Sequence, residues 1–225
     1  EGTYCIYDDG VLVNSATAST VYVNSTYAAG ADLGEGKIFG FNAFADFASA
    51  MAAARDNDLV SRIEIESDIT TNSNVDTVNY YDIAQKLTIG AASGGKYTVS
   101  AGSLAILVQG NGASLTIEDG VTIENLDVVA DGFATSNEEM IINGEMKALS
   151  LKVWTNNNGI TVNETGKVAL GYGDGQLDLA YGNGYLTVNG TLENTKEESL
   201  TDGPQFKAGY SGTRGTGNTI NLNDT

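Results

Sequence analysis

The chain has 225 residues, 41% of them hydrophobic, with 29 acidic side chains against 11 basic ones and a net charge of −18 at pH 7. That length buries a sizeable core in one elongated domain, while that charge repels phosphate backbones and anionic membranes and argues against nucleic acid as a partner. No histidine is present and Cys5 is the single cysteine, so Ser-His-Asp and Cys-His catalysis, the commonest transition-metal ligand and an internal disulfide are excluded.

The first 40 residues read as a small N-terminal β segment. Thr3 to Tyr7 and Val11 to Asn14 flank Asp9-Gly10, the turn chemistry of a hairpin, and Thr20 to Asn24 is a third strand. The period then changes. From Phe41 to Arg55 the apolar residues Phe41, Phe44, Ala48, Met51 and Ala52 recur at helical spacing, with Asn42 as N-cap, Asp46 in the first turns and Asp56-Asn57-Asp58 as the stop. Residues 41–61 are therefore expected to form a capping helix.

From residue 62 to 225 short strands recur. Their apolar pairs are Ile63 and Ile65, Leu87 and Ile89, Leu115 and Ile117, Ile141 and Ile142, Ile160 and Val162, Leu186 and Val188, and Ile220 and Leu222, at steps of 24, 28, 25, 20, 26 and 34 residues. Steps in the twenties are those of solenoid coils with unequal loops. Second strands follow after a Gly-bearing turn, as in Tyr97 to Val99, Val121 to Ile123 and Lys167 to Leu170. Seven stations stacked about 4.8 Å apart would make a rod roughly 30 Å long. A β-sandwich is the rival, since Asn189-Gly190 is a good hairpin signal. The helix ahead of the first coil favours winding, because it would cover the open strand edges and apolar end of a stack.

The run Phe41 to Ala54, followed by Ile63-Glu-Ile65 and Asp68-Ile-Thr70, resembles the opening of pectin-lyase-like right-handed parallel β-helices. Leu186-Thr-Val-Asn-Gly-Thr-Leu-Glu-Asn194 is similar to repeats of bacterial autotransporter passengers and haemagglutinin-like adhesins. The expected fold is thus all-β: a right-handed parallel β-helix with an N-terminal capping α-helix and a small N-terminal β segment, one continuous domain belonging to a longer chain. The resemblance implies export to the cell surface and adhesion.

Candidate chemistry is sparse. Carboxylate pairs for glycoside hydrolysis are Glu118 with Asp119, Asp127 with Asp131, Glu138 with Glu139, and Asp174 with Asp178. Neighbours in a strand point to opposite faces, which disfavours the Glu118 pair, whereas Asp127 with Asp131 and Asp174 with Asp178 can share one. A lyase, implied by the fold resemblance, would need a central basic residue. Arg55 and Arg62 lie near the cap and Arg214 in a glycine-rich segment, and nothing in the sequence pairs the central Lys147, Lys152 and Lys167 with an Asp cluster.

The nine-residue echo of Gly171 to Leu179 in Ala180 to Val188 suggests a calcium-binding β-roll, with Asp174 and Asp178 as metal-ligand candidates, although Leu177 and Leu186 stand where the roll needs Asp. Trp154, Tyr172, Tyr181 and Tyr185 are the candidate ligand-binding aromatics, able to stack on sugars. Asn156 to Asn158 beside Trp154 are expected in a turn or an Asn ladder between coils. The expected function is a secreted or surface-held adhesin-like scaffold binding carbohydrate or a host surface, with further repeats or an oligomeric contact at its C-terminal end. The rival is a polysaccharide-active enzyme of the same fold.

Overall fold

The computed structural model describes residues 4–6, 12–14, 19–34, 36–70, 81–102, 104–131, 137–154, 158–170, 176–179, 184–194, 205–208 and 219–222. Tyr4–Ile6 (β1) and Leu12–Asn14 (β2) pair antiparallel with Cys5 opposite Val13, and Asp9-Gly10 lies outside the described residues. Every other strand pair among the described residues is parallel.

Parallel neighbours cannot be joined by tight turns, so the chain must travel round and return above its starting point. It does so by visiting three faces in order. The first carries β3 (Thr20–Val23), β4 (Ala43–Phe44), β5 (Arg62–Ile65), β7 (Lys86–Ala91), β10 (Ser114–Ile117), β12 (Glu139–Ile142), β14 (Gly159–Val162), β17 (Tyr185–Val188) and β20 (Thr219–Leu222). A second sheet bends over the other two faces. One holds β8 (Tyr97–Ser100), β15 (Lys167–Leu170) and β18 (Thr191–Asn194), and the other holds β6 (Tyr81–Ile83), β9 (Ala105–Val108), β16 (Gln176–Leu179) and β19 (Gln205–Ala208). The long strands β11 (Val121–Asp131) and β13 (Glu145–Trp154) run through both faces, turning the corner at a bulge around Leu126 and Ala148. The result is a parallel β-solenoid of about five turns. The seven stations read from the sequence all lie on the first face.

Alternation along each strand builds the core. Leu87, Leu115, Met140, Ile160 and Leu186 stack in register as one inward ladder, and Ile89, Ile117, Ile142, Val162 and Val188 as its neighbour. Each such side chain, taken from water to full burial, contributes roughly 1.5–3 kcal/mol. One reading is corrected here. The inward pair of β12 is Met140 with Ile142, because Ile141 occupies the outward position aligned with Thr116 and Thr161. Ile63 stands opposite Ile89 and Ile65 opposite Ala91, a slide of two residues that leaves the buried face unchanged because the side-chain period is also two.

The helix, α1, spans Phe47–Asp56, shorter at its start than the sequence pattern suggests. Asn42 is not its N-cap. Ala43–Phe44 instead pairs with Tyr22–Val23, and the buried Asn42 side chain accepts from Ile38 N and donates to the Gly36 carbonyl. The cap is Asp46, whose carboxylate accepts from Ser49 N and Ser49 Oγ, both at 2.8 Å. Phe47, Ala48, Ala50, Met51 and Ala54 face β3, β4, β5 and β6, the first strands of the stack, and Gln85 donates to the carbonyls of Ala54 and Val60. The helix therefore caps the stack, and Thr20–Val23 belongs to the solenoid sheet through its pairing with β5.

The corner between the first and second faces tolerates only glycine. A Cβ on Gly144 would lie 2.2 Å from the Glu118 carbonyl oxygen, and one on Gly190 would lie 2.2 Å from that of Asn163 and 2.3 Å from that of Gly166. Gly190→Ala should lower stability by roughly 2–3 kcal/mol. Asp46→Ala should cost about 1 kcal/mol through the lost cap. Urea unfolding followed by circular dichroism measures both, and a Gly190→Ala midpoint equal to wild type would refute the packing argument.

Candidate functional site

The glycines just before the second-face strands shape the surface around them. Gly120, with φ of 87°, precedes β11, Gly144 precedes β13, Gly166 precedes β15 and Gly190 precedes β18. The turns are clamped together from coil to coil. Tyr97 N donates to the Gly120 carbonyl, Lys167 N to that of Gly144 and Thr191 N to that of Gly166. Beside them Asn163 Nδ2 donates to Asn143 Oδ1 at 2.7 Å, and Thr165 Oγ1 to the Asn143 carbonyl at 2.9 Å. An Asn contact between coils thus exists at Asn143 and Asn163. Asn158 is buried beside β14, with Oδ1 accepting from Glu138 N, and Asn156 and Asn157 lie outside the described residues.

With no side chains over the glycines, the corner opens as a groove of about 350 Å³. Gly120 and Gly144 line it together with Lys96, Tyr97, Asp119, Glu145, Thr165 and Lys167. Lys96, Asp119 and Thr165 are exposed, and Asp119 Oδ1 accepts from Gly120 N at 2.9 Å. Lys167 is fixed from both sides, 2.8 Å from Glu193 and 3.7 Å from Glu145. The hydrogen bond to Glu193, followed by the charges of Glu145 and Glu193, raises its pKa. Lys147 pairs likewise with Glu124 on the same face.

On the first face the Tyr185 ring lies over Gly159, where a Cβ would come 2.0 Å from Cζ. Glycine in a strand invites such aromatic cover from its cross-strand partner. Burial raises the Tyr185 pKa, and the charge and hydrogen bonding of Glu139 raise it further. Thr161 Oγ1 donates to Glu139 at 3.2 Å.

Nearer the cap, Arg62 reaches across Gly90 to Glu118 at 2.8 Å and contacts Glu64 at 3.1 Å. Lys37 binds Glu66 at 2.6 Å and sits 4.7 Å from the Tyr22 ring centre, while the Tyr27 hydroxyl donates to the other oxygen of Glu66. Burial works against the charge on Lys37, but bonding to Glu66 and Tyr27 outweighs it and raises its pKa. Burial first, then Glu66, raises that of Tyr27.

Of the four aromatic side chains singled out from sequence, Tyr185 is the one whose surroundings are described. Trp154 ends β13 opposite Asp131 in register, and the register sets Asp178 between Lys152 and Lys207. Tyr172, Tyr181, Asp174 and Arg214 lie outside the described residues. Glu118 is engaged by Arg62, and Glu138 is buried while Glu139 faces outward, so neither adjacent pair turns two carboxylates toward one ligand. Of the groove residues, Asp119 was a candidate only as partner of Glu118, and Lys96, Tyr97 and Glu145 were not anticipated. The signal that points to them is the glycine before each second-face strand. Among the described residues no group of three or more His, Cys, Asp or Glu side chains is placed to hold a metal ion, and no helix is long and apolar enough to cross a membrane.

The architecture defines the chain as a parallel β-solenoid with an N-terminal helical cap. No protein-family model matches it, and comparison with curated proteins and with solved structures gives no match either.

Lys37, Lys167, Tyr27 and Tyr185 all hold their protons more tightly when folded than their ordinary values near 10 would give. Their contribution is therefore complete below about pH 10 and is lost as pH rises through the raised values. Urea midpoints should hold up to about pH 10 and fall as the pH is raised above it, and a Lys37→Met, Tyr27→Phe double variant should show a shallower fall. An equal fall in the variant would remove this cluster from the explanation.

Proposed function

We propose that the chain is a non-enzymatic, adhesin-like scaffold of the pectin-lyase-like, autotransporter-passenger kind, secreted or held at a bacterial cell surface, which binds glycans or host surfaces through side chains carried on its coils. The observation that supports this most is how charge is arranged on the second face. Glu124 with Lys147, and Glu145 with Lys167 and Glu193, pair acids with lysines across successive coils. Such pairing keeps a lysine protonated, whereas a lyase base must give up its proton near neutral pH. A rigid rod whose rung positions are occupied by packing and pairing suits display, with recognition left to the turns and loops.

A polysaccharide-active enzyme has one observation in its favour: Asp119, Glu145, Lys96 and Lys167 line a common groove. The two readings separate in a direct assay. The purified chain, immobilised and offered host cells and a glycan array, should retain ligand without altering it. Release of shortened or unsaturated sugars from polysaccharides by the wild type, abolished in Asp119→Asn, would overturn the scaffold reading in favour of the enzyme.

A further inference from the structure

We infer that the corner groove over Gly120 and Gly144 is a binding site for a neutral oligosaccharide lying along the rod, held by Tyr97, Lys96, Asp119 and Glu145. The inference rests on the recognition reading above and gives it a place and a ligand class. The groove spans turns from four successive coils, from Lys96 through Asp119 and Gly144 to Thr165. Its volume of about 350 Å³ falls at the small end of ligand sites, which run from roughly 300 to 1,000 Å³.

Its chemistry suits a polyol. Asp119 and Glu145 supply carboxylate acceptors for sugar hydroxyls, Lys96 supplies a donor and makes no ion pair among the described residues, and Thr98, Thr122 and Thr165 add hydroxyls that donate or accept. Tyr97, half-buried with its ring against Gly95, adds an aromatic surface of the kind that packs on sugar C–H groups. The floor is glycine backbone, which lets a ring approach closely.

Charge selects against acidic chains. The field of a protein with net charge −18 opposes a polyanion, and Lys167, the second lysine of the groove, is already neutralised by Glu193 and Glu145. An extended peptide is disfavoured for a different reason. Docking by strand addition needs a free edge, but β11, β13 and β15 are paired on both sides.

The test uses the full 225-residue chain, isotope-labelled, titrated with neutral β-gluco-, manno- and malto-oligosaccharides, with oligogalacturonate as the acidic probe and an extended mixed-charge peptide as the third. One neutral series should shift the amide resonances of residues 96–98, 119–122, 144–145 and 165–167. Asp119→Asn and Lys96→Ala, both at exposed positions, should each weaken binding by about tenfold, and Tyr97→Ala by at least as much, with unchanged circular dichroism. Tyr185→Ala, on the other face, should leave this binding as it is.

Preference for oligogalacturonate, displacement of these same resonances by the peptide alone, or no response to any sugar would overturn the proposal. Sugar binding that is lost with Tyr185→Ala but indifferent to Lys96→Ala and Asp119→Asn would overturn the groove while leaving the recognition reading standing. Failure of that broader reading would show separately, as absence of any cell or glycan retention in the immobilised-chain assay.

Discussion

Everything in this fold depends on one steric constraint, the close approach of successive coils at the corner between the first and second faces. Parallel rungs are set by hydrogen bonds that fix neighbouring strands at about 4.8 Å. At the corner the chain must turn within that spacing, and carbonyl oxygens of the preceding coil then stand where a Cβ would be. Gly144, Gly166 and Gly190 meet the condition, each with a backbone oxygen at 2.0–2.2 Å from the position a Cβ would take. Once these turns are in place the flanking strands fall into register, and the inward ladders of Leu, Ile, Met and Val follow from alternation alone.

The same omission of side chains that permits stacking also creates the one concave feature argued for above. A corner lined with glycine is lower than the strands beside it, so the residues at its margins, from Lys96 to Lys167, face one another across a gap. Structure and recognition are thereby joined at a single place: the turn that lets the coil close is the floor on which a ligand can rest. The first face has a smaller version of the same logic, with Gly159 covered by Tyr185 from within the protein instead of left open.

Local periodicity made the solenoid legible. Leu115-Thr-Ile117 and Leu186-Thr-Val188 announce strands with one buried face, and Asp119-Gly120 and Asn189-Gly190 announce the turns after them. What stayed hidden depended on distant partners. Ile141 and Ile142 are equally apolar, and only the pairing of Met140 with Leu115 and Ile160 decides which of them turns inward. Asn42 satisfies the local rule for a helix cap, but the pairing of Ala43–Phe44 with Tyr22–Val23 takes those residues into a strand and leaves the cap to Asp46. The groove was illegible for the same reason, since its members come from four coils and no two of its turns are neighbours in sequence.

The ion pairs on the second face raise the question of assembly order. Coils with nearly the same apolar pattern are interchangeable as far as the core is concerned, so a chain that skipped one while winding could still bury its leucines and isoleucines. Charge does not restore the order by itself. Lys167 stands opposite Glu145 in register and reaches Glu193 on the diagonal, and with its coil left out Lys147 would come opposite Glu193, so that acid would again meet lysine. A surface feature of small energetic weight thus ties neighbouring coils together without marking their order.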